Sequence, residues 1–361
     1  MELVFKDKLD RSEILLQASE EGSLSSEFLD KSFIIQGDNF VGLSKLLNAK
    51  KGFIDLIYID PPFNTNQIFS VTENRANTIS RSKSAITAYE DLMDADEFLN
   101  FMYKRFVLLY ELLSENGSLY VHIDCKMGHY FKVILDEIFG RQNYKNDITR
   151  IKSNPKNFDR KAYGNEKDMI LFYSKNAKKN IWNEIRLELS TEELYTKFTK
   201  VDNDGRRYTT IPLHAPGESS GVTGQKWRDM LPPAGRHWRT SPEEFDRLDS
   251  LGLIEWSSTG NPRIKKYADE HKGKKIQDVW TFKDPQNPMY PTQKNLDMLK
   301  LIIKQSSSEG SYVLDCFAGS GTTLLAASEL NRKFIGIDQS ALAIDTMKKR
   351  LNIGNDNLII L

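Results

Sequence analysis

Cysteine is nearly absent: Cys125 and Cys316 are the only two in 361 residues, too few for a disulfide framework or a four-thiolate metal site. Both lie in apolar, strand-like stretches, so the expectation is two buried free thiols in a reducing compartment. An excess of either charge is missing as well, since 50 Lys and Arg balance 50 Asp and Glu. Any nucleic-acid partner must then be met by a local basic surface, because the chain carries no global field to attract it. No apolar run approaches the length that spans a bilayer, and residues 1–8 lack the apolar centre of a secretory leader. The expected location is therefore the cytoplasm, with no membrane partner. No repeat or low-complexity tract occurs, and no His, Cys and acid cluster has metal-ligand spacing, so no metal is expected. The length supports a large core, divided naturally into one catalytic domain and a smaller inserted one.

The most informative residues present are Tyr58-Ile59-Asp60-Pro61-Pro62-Phe63. Phe53 to Ile59 is an apolar run of the kind buried on both faces of a parallel sheet, which puts Asp60 at a strand's carboxyl end. Pro61 and Pro62 have no N–H, so the backbone there offers carbonyl oxygens alone. Phe63 adds a flat face. A planar aromatic amine has two N–H donors and a ring to stack, and this segment supplies a carboxylate acceptor, a carbonyl acceptor and a stacking partner. A plain strand-ending turn accounts equally well for Asp-Pro-Pro.

A second segment decides between them. Ser311 to Thr323, with Asp315, Phe317, Ala318, Gly319, Ser320, Gly321 and Thr322 at its centre, reads as strand, glycine-rich turn and helix. Its glycines allow a ligand to approach the backbone at a strand-to-helix crossing. The third glycine of the dinucleotide fingerprint is replaced by Leu324, which argues against a bound pyrophosphate. Lys333 to Ile337 is a further short strand, ending in Asp338, an acid able to accept from both hydroxyls of a ribose. The set suits a nucleoside without phosphates.

Together these segments resemble the S-adenosylmethionine-dependent DNA amino-methyltransferases, specifically the adenine-N6 branch of the permuted group, in which the catalytic motif precedes the cofactor motif. Asp60-Pro61-Pro62-Phe63 matches the catalytic motif and Phe317-Ala318-Gly319-Ser320-Gly321 the cofactor loop. Gln36 to Asn39, Gly117 to Asp124, Met169 to Tyr173 and Pro291 to Lys294 match further motifs in the family's order. The resemblance spans roughly residues 30–350. It implies an α/β fold built on a Rossmann-like, doubly wound and mostly parallel methyltransferase sheet with an inserted target-recognition domain. The expected divisions are a lead-in at 1–30, a catalytic half at 31–179, a target-recognition insert at 180–285 and a cofactor half at 286–361. The implied cofactor is S-adenosylmethionine and the implied partner double-stranded DNA, and the resemblance leaves room for a homodimer and a cognate restriction endonuclease. It places the cofactor's adenine amine near Asp38; that residue is equally suited to cap the next helix.

Other stretches are less specific. Residues 64–91 are polar and without periodicity, and carry Arg75, Arg81 and Lys83; a lid closing over DNA is the expectation. Between Arg150 and Lys179, nine Lys or Arg, Lys152 and Lys156 among them, face three acids beside several aromatic rings, which suggests a phosphate-contacting surface. His122 and His129 are expected to be structural. The segment 180–285 holds all five tryptophans and the run Arg236-His237-Trp238-Arg239. Those arginines could grip phosphate or donate to guanine edges. Trp238 could instead be a core anchor that they merely cover.

The implied chemistry follows from the acceptor. Hydrogen bonds from an adenine amine to Asp60 and to a proline carbonyl, Pro61 for preference, favour a tetrahedral nitrogen and stabilise its growing positive charge. Methyl transfer is then direct, with no covalent enzyme intermediate. The base must be flipped out of the duplex, where Phe63 can stack on it. A cytosine-N4 methyltransferase shares this pocket but usually has Ser at the position of Asp60. A catalytically silent DNA-binding relative is the alternative of another class.

Overall fold

The structure, a computed structural model, describes the chain except residues 1, 63–67, 73–74, 78–85, 91–93, 154–160 and 286–292, and gives backbone alone for 68–72, 75–77 and 86–90. It divides into two compact units, 1–185 with 277–361, and 186–276.

The larger unit is built on a nine-stranded sheet. In chain order its strands are β1 (Phe33–Gln36), β2 (Ile54–Ile59), β3 (Leu113–Ile123), β4 (Tyr144–Ile151), β5 (Lys167–Ser174), β6 (Val279–Thr281), β7 (Tyr312–Asp315), β8 (Lys333–Asp338) and β9 (Leu358–Ile360). Their spatial order is β6-β4-β5-β3-β2-β7-β8-β1-β9. Every pairing is parallel except those of β5, which runs antiparallel to both its neighbours. β2 shows why the parallel pattern forms: five of its six residues are buried, and a strand covered on both faces has no polar alternation to offer water.

Helices α1 (Arg11–Ser19), α2 (Asn39–Ala49), α3 (Ala95–Leu112), α4 (Gly128–Phe139), α5 (Leu296–Ser306), α6 (Thr322–Glu329) and α7 (Ala341–Leu351) belong to the same unit. Their starts are written in the sequence: Asp94 and Glu97 form a capping box on α3, and Asp38, Asn295 and Ser340 cap α2, α5 and α7. Phe98, Met102, Phe106 and Leu109 of α3 and Phe131, Ile134 and Leu135 of α4 are buried in one core with Ile57, Ile59, Leu119 and Val121 of the sheet.

β2 and β7 are neighbours at the middle of the sheet, and the chain leaves them in opposite directions, β2 toward β3 and β7 toward β8. That reversal opens a crevice outside their carboxyl ends, where ligands bind in sheets of this kind. Acids stand at or just past the ends of five parallel strands: Asp38, Asp60, Asp124, Asp315 and Asp338.

The smaller unit has a four-stranded antiparallel sheet of Lys200–Val201, Arg207–Pro212, Pro262–Tyr267 and Ile254–Trp256. Its core gathers Leu213, Trp227, Trp238, Phe245, Ile254 and Ile264.

Several expectations change. Cys316 is buried, but Cys125 is exposed, because it falls in the turn after β3 and not in the strand. The segment 64–91, aperiodic in sequence, contains three short antiparallel strands, at 68–72, 75–77 and 86–90. The compact smaller unit is narrower than the 180–285 insert and keeps three of the five tryptophans. Trp182 stacks on Phe172 of β5 with ring centroids 5.9 Å apart, and Trp280 lies in β6, which pairs with β4, so both belong to the larger unit.

Candidate active site

Asp60 follows β2 directly, and its side chain is only 15% exposed. One carboxylate oxygen, Oδ2, is ion-paired with Lys294. The other, Oδ1, is buried and has no hydrogen-bond partner among the described residues. An acceptor so placed costs free energy until a donor reaches it, so it marks the position of a ligand N–H or O–H. Pro61 is buried and Pro62 half-buried beside it, while Phe63 lies outside the described residues. Lys294 is absent from the candidate residues chosen by motif; the signal was the Pro-Thr-Gln-Lys segment itself, whose last residue reaches Asp60 from 234 positions away in the chain.

Behind Asp60 runs a buried polar chain. The Tyr58 hydroxyl lies 2.8 Å from His122 Nδ1, and His122 Nε2 lies 3.2 Å from Asp168. Asp168 also takes Lys152 Nζ at 2.6 Å and faces Arg150 at 3.6 Å. Arg150 is wholly buried, donates to the Phe282 carbonyl at 2.9 Å and is ion-paired with Asp284. Burial pushes the His122 imidazole below its ordinary pKa, which keeps it neutral. Burial disfavours the charged form of Asp168 too, but the hydrogen bonds from His122 and Lys152 outweigh it and hold that carboxyl well below the ordinary range. The arrangement is therefore a Tyr58 hydroxyl donating to Nδ1, and Nε2–H donating to an ionised Asp168. It also corrects the reading of the basic stretch: Arg150 and Lys152 are spent on internal ion pairs, and Lys175 is spent on the carbonyls of Tyr110 and Leu113. Lys156 is outside the described residues, as are Arg81 and Lys83; Arg75 lies on a short strand described by backbone alone.

The glycine-rich turn sits at the end of β7. Gly319 and Gly321 have φ of 49° and 71°, a left-handed conformation that glycine adopts without strain. A Cβ on Gly321 would come within 2.6 Å of Met347 Cγ, so this position needs glycine twice over. Asp338 holds the turn in place: Oδ2 accepts from Gly319 N–H at 2.8 Å and Oδ1 from Ser340 N–H at 2.9 Å. Burial raises the Asp338 pKa against the effect of those two amides. Asp315, fully buried, accepts from the Phe317 amide at 3.0 Å and the Thr323 hydroxyl at 2.6 Å. Burial, aided by the charges of Asp60 and Asp338, pushes its carboxyl up to about 7. Ala318 is buried and Phe317 half-exposed. Ser320 and Thr322 are engaged from behind, where Arg350 donates to Ser320 Oγ at 2.9 Å and Thr322 Oγ1 at 3.0 Å. What the turn offers a ligand is then its backbone and Phe317.

Asp38 caps α2, with Oδ1 accepting from the Phe40 and Val41 amides, so the alternative role foreseen for it is present. Oδ2 lies 3.2 Å from Arg105, and half of the side chain is exposed. Arg105 comes from the interior of α3, donates to Asn39 Oδ1 at 2.6 Å and stacks 3.4 Å from the centre of the Phe101 ring. Burial lowers its pKa to about 10, and it is still a cation at neutral pH. Asn39 in turn donates to the Cys316 carbonyl at 2.9 Å, which ties the end of β1 to the glycine turn.

In the smaller unit, Trp238 is 4% exposed, donates to the Gln225 carbonyl and packs edge-on to Phe245. It is a core anchor and not a DNA contact, because a ring enclosed on this scale has no face left for a base. Arg236 and Arg239 beside it are exposed; their described contacts are His214 and the Pro212 carbonyl, with no carboxylate partner. His237 is half-buried against the Gly217 carbonyl. Among the described residues no group of three or more His, Cys, Asp or Glu could hold a metal ion, and no helix is long and apolar enough to cross a membrane.

Residues 54–349 match the family model described as DNA methylase. The type II methyltransferase M.EcaI of Enterobacter cloacae is 41% identical over 98% of this chain and 78% of its own length. The Mod subunit of the type III restriction-modification enzyme StyLTI of Salmonella typhimurium is 26% identical over 93% of this chain, which spans only 57% of that relative. Among solved structures, the complex of M1.HpyAVI with SAM covers 88% of this chain and 98% of its own at 18% identity, with a TM-score of 0.44.

Proposed function

This chain belongs to the DNA methylase family, and on that premise we propose that it moves the methyl group of S-adenosylmethionine to the N6 amine of an adenine flipped out of duplex DNA, as the modification enzyme of a restriction system. The observation that carries the reading is Asp60: a carboxylate fixed at one oxygen by Lys294, with the other buried and unpartnered among the described residues at the crevice between β2 and β7. The acid at position 60, where cytosine-N4 relatives usually carry Ser, favours adenine.

The cofactor fits the residues present. The polar groups around the crevice are carboxylates, which accept, and backbone amides, which donate, with Asp38, Asp338 and the turn at 317–321 on one edge. Such a set suits a nucleoside with a cationic tail better than a phosphate. Asp338 supports the ribose end by holding the turn, Asp38 is half exposed and can accept from an amine beside its contact with Arg105, and Phe317 offers a ring face. Bound there, S-adenosylmethionine supplies an electrophilic methyl on sulfur. Asp60 Oδ1 accepts one N–H of the target amine, and the Pro61 carbonyl is suited to the second. Those bonds draw the nitrogen toward a tetrahedral geometry, so that its lone pair would face the cofactor's methyl in line; the methyl–sulfur bond would break as the methyl–nitrogen bond forms, and the nitrogen would then lose one proton to water. The same acceptors stabilise the positive charge that develops on nitrogen. Phe63 is assigned the stacking face for the base, as the motif implies. Arg236 and Arg239 of the smaller unit are assigned to DNA contact, on the ground that they are exposed and have no acidic partner among the described residues.

Incubation with methyl-labelled cofactor and mixed-sequence duplex DNA, followed by digestion to nucleosides, tests the proposal. Label is expected in N6-methyl-2′-deoxyadenosine. Label in N4-methyl-2′-deoxycytidine, or none in DNA, overturns it.

A further inference from the structure

Arg105 lies inside α3 and is 5% exposed. Each nitrogen of its guanidinium has a separate partner. Nε donates to Asn39 Oδ1 at 2.6 Å, Nη1 to the Phe101 carbonyl at 2.9 Å and Nη2 to Asp38 Oδ2 at 3.2 Å. The group also lies 3.4 Å from the centre of the Phe101 ring, which in turn meets the Phe317 ring with centroids 6.1 Å apart. Asn39 passes the contact on to the Cys316 carbonyl at 2.9 Å. One side chain is thus tied to both groups suited to an adenine ring, the Asp38 carboxylate just past β1 and the Phe317 face in the glycine turn after β7.

Packing alone does not call for an arginine here. A buried guanidinium is costly to desolvate, and an apolar residue of similar size often serves a core as well or better. What no apolar side chain can do is fix Asp38. Oδ1 of that residue is taken by the Phe40 and Val41 amides. Oδ2 belongs to a side chain that is 49% exposed, and without Arg105 it is free to turn to water. Held by Nη2, it has a set direction and a lone pair to spare, since a carboxylate oxygen accepts from more than one donor. An acceptor fixed before the ligand arrives has little orientational freedom left to lose on binding. On the reading that Asp38 takes the adenine amine of the cofactor, we infer that Arg105 is a positioning residue for cofactor recognition: its fork aims the Asp38 carboxylate and ties the glycine turn to β1, so that the site selects a purine carrying an amine. A positive charge in the same place is not enough, because Asp38 and Asn39 must be held together.

The test is the calorimetric affinity of wild type, Arg105→Met, Arg105→Lys and Asp38→Ser for two ligands: S-adenosylhomocysteine, which is the cofactor without its methyl, and its analogue with hydrogen in place of the adenine amine. Melting identifies folded variants, and Arg105→Gln replaces the Met variant if that one does not fold. Wild type is expected to prefer the ligand with the amine by about 10- to 100-fold, the scale of a hydrogen bond to a charged group. Arg105→Met should shrink that preference by about 5-fold or more, and so should Arg105→Lys, since an ammonium keeps the charge but cannot serve both partners from one point. A smaller change in either folded variant overturns the inference, whether both ligands weaken equally, as a purely structural role requires, or neither does. Asp38→Ser keeps a capping oxygen for α2 and removes the one that faces Arg105. Wild type that binds neither ligand defeats the cofactor assignment, and wild type without a preference, or Asp38→Ser with an undiminished one, defeats the reading of Asp38. A preference lost in Asp38→Ser but kept in Arg105→Met defeats the role of Arg105 alone.

Discussion

Asp60 and Asp338 both end strands of the same sheet, yet their hydrogen bonds separate their tasks. Asp60 keeps a buried oxygen unfilled, so Asp60→Ala should lower methyl transfer by at least about 100-fold while cofactor affinity holds, since the lost acceptor serves only the amine. Label transfer and calorimetry measure the two effects, and retained turnover would remove Asp60 from the mechanism. Asp338 spends its oxygens on the Gly319 and Ser340 amides. Replacing it with Ala should loosen the turn and weaken cofactor binding by about 10- to 100-fold, the scale of hydrogen bonds to a charged group. An unchanged dissociation constant would pass the role to another acid. These residues were legible because their motifs are local: an acid at a strand end and a glycine turn declare themselves within a dozen positions. Lys294 and Arg105 were not, because their meaning lies in partners 234 and 67 positions away. Nothing in an apolar helix such as α3 announces that one buried guanidinium will hold Asp38 and Asn39 together.

β4 and β5 show where charge counted along the chain misleads. Lys and Arg crowd this stretch, but in strands alternate side chains face opposite ways, and here Arg150 and Lys152 converge on Asp168 within the fold. Lys152→Glu should therefore lower the melting temperature of the larger unit, by placing a second acid against Asp168, and leave the salt dependence of DNA binding unchanged. A salt slope reduced by about one unit would restore Lys152 as a phosphate contact. Arg236→Glu and Arg239→Glu should behave in the opposite way. Neither arginine has a carboxylate partner among the described residues, and Trp238 beneath them is the core residue that the smaller unit needs. The double variant should melt like wild type and bind duplex DNA less tightly. Its slope of log affinity against log salt should be shallower by about one for each phosphate that an arginine no longer neutralises.

For the larger unit as a whole, the parallel sheet was legible from its apolar runs, and the presence of an insert from the loss of that rhythm, whereas the edges of the insert were not. Residues 277–285 look like the insert in composition, but the hydrogen bonds of β6 to β4 are available only in three dimensions and capture them for the sheet. The same sheet concentrates carboxyls in a low-dielectric setting, and stability should depend on pH accordingly. Asp315 in the folded state titrates at about 7, against an ordinary value of 3.8. A folded pKa raised above the unfolded one means that the native state binds the extra proton between those limits. The contribution of Asp315 is thus fully present below about pH 4 and is lost as the pH rises through 7. Asp168 contributes in the reverse sense, with stability present above the ordinary carboxylate range and lost as the pH falls below it. Between about pH 5 and 7 the two therefore separate, because Asp168 is already ionised there while Asp315 is losing its proton. Asp315→Asn, which keeps a carbonyl acceptor for the Phe317 amide or the Thr323 hydroxyl and cannot ionise, should flatten the decline in melting temperature across that window relative to wild type, measured by calorimetry without cofactor. Parallel melting curves for wild type and Asp315→Asn from about pH 5 to about pH 8 would show that Asp315 stays ionised in the folded protein, and that the glycine turn is anchored by a charge where a neutral acid is expected.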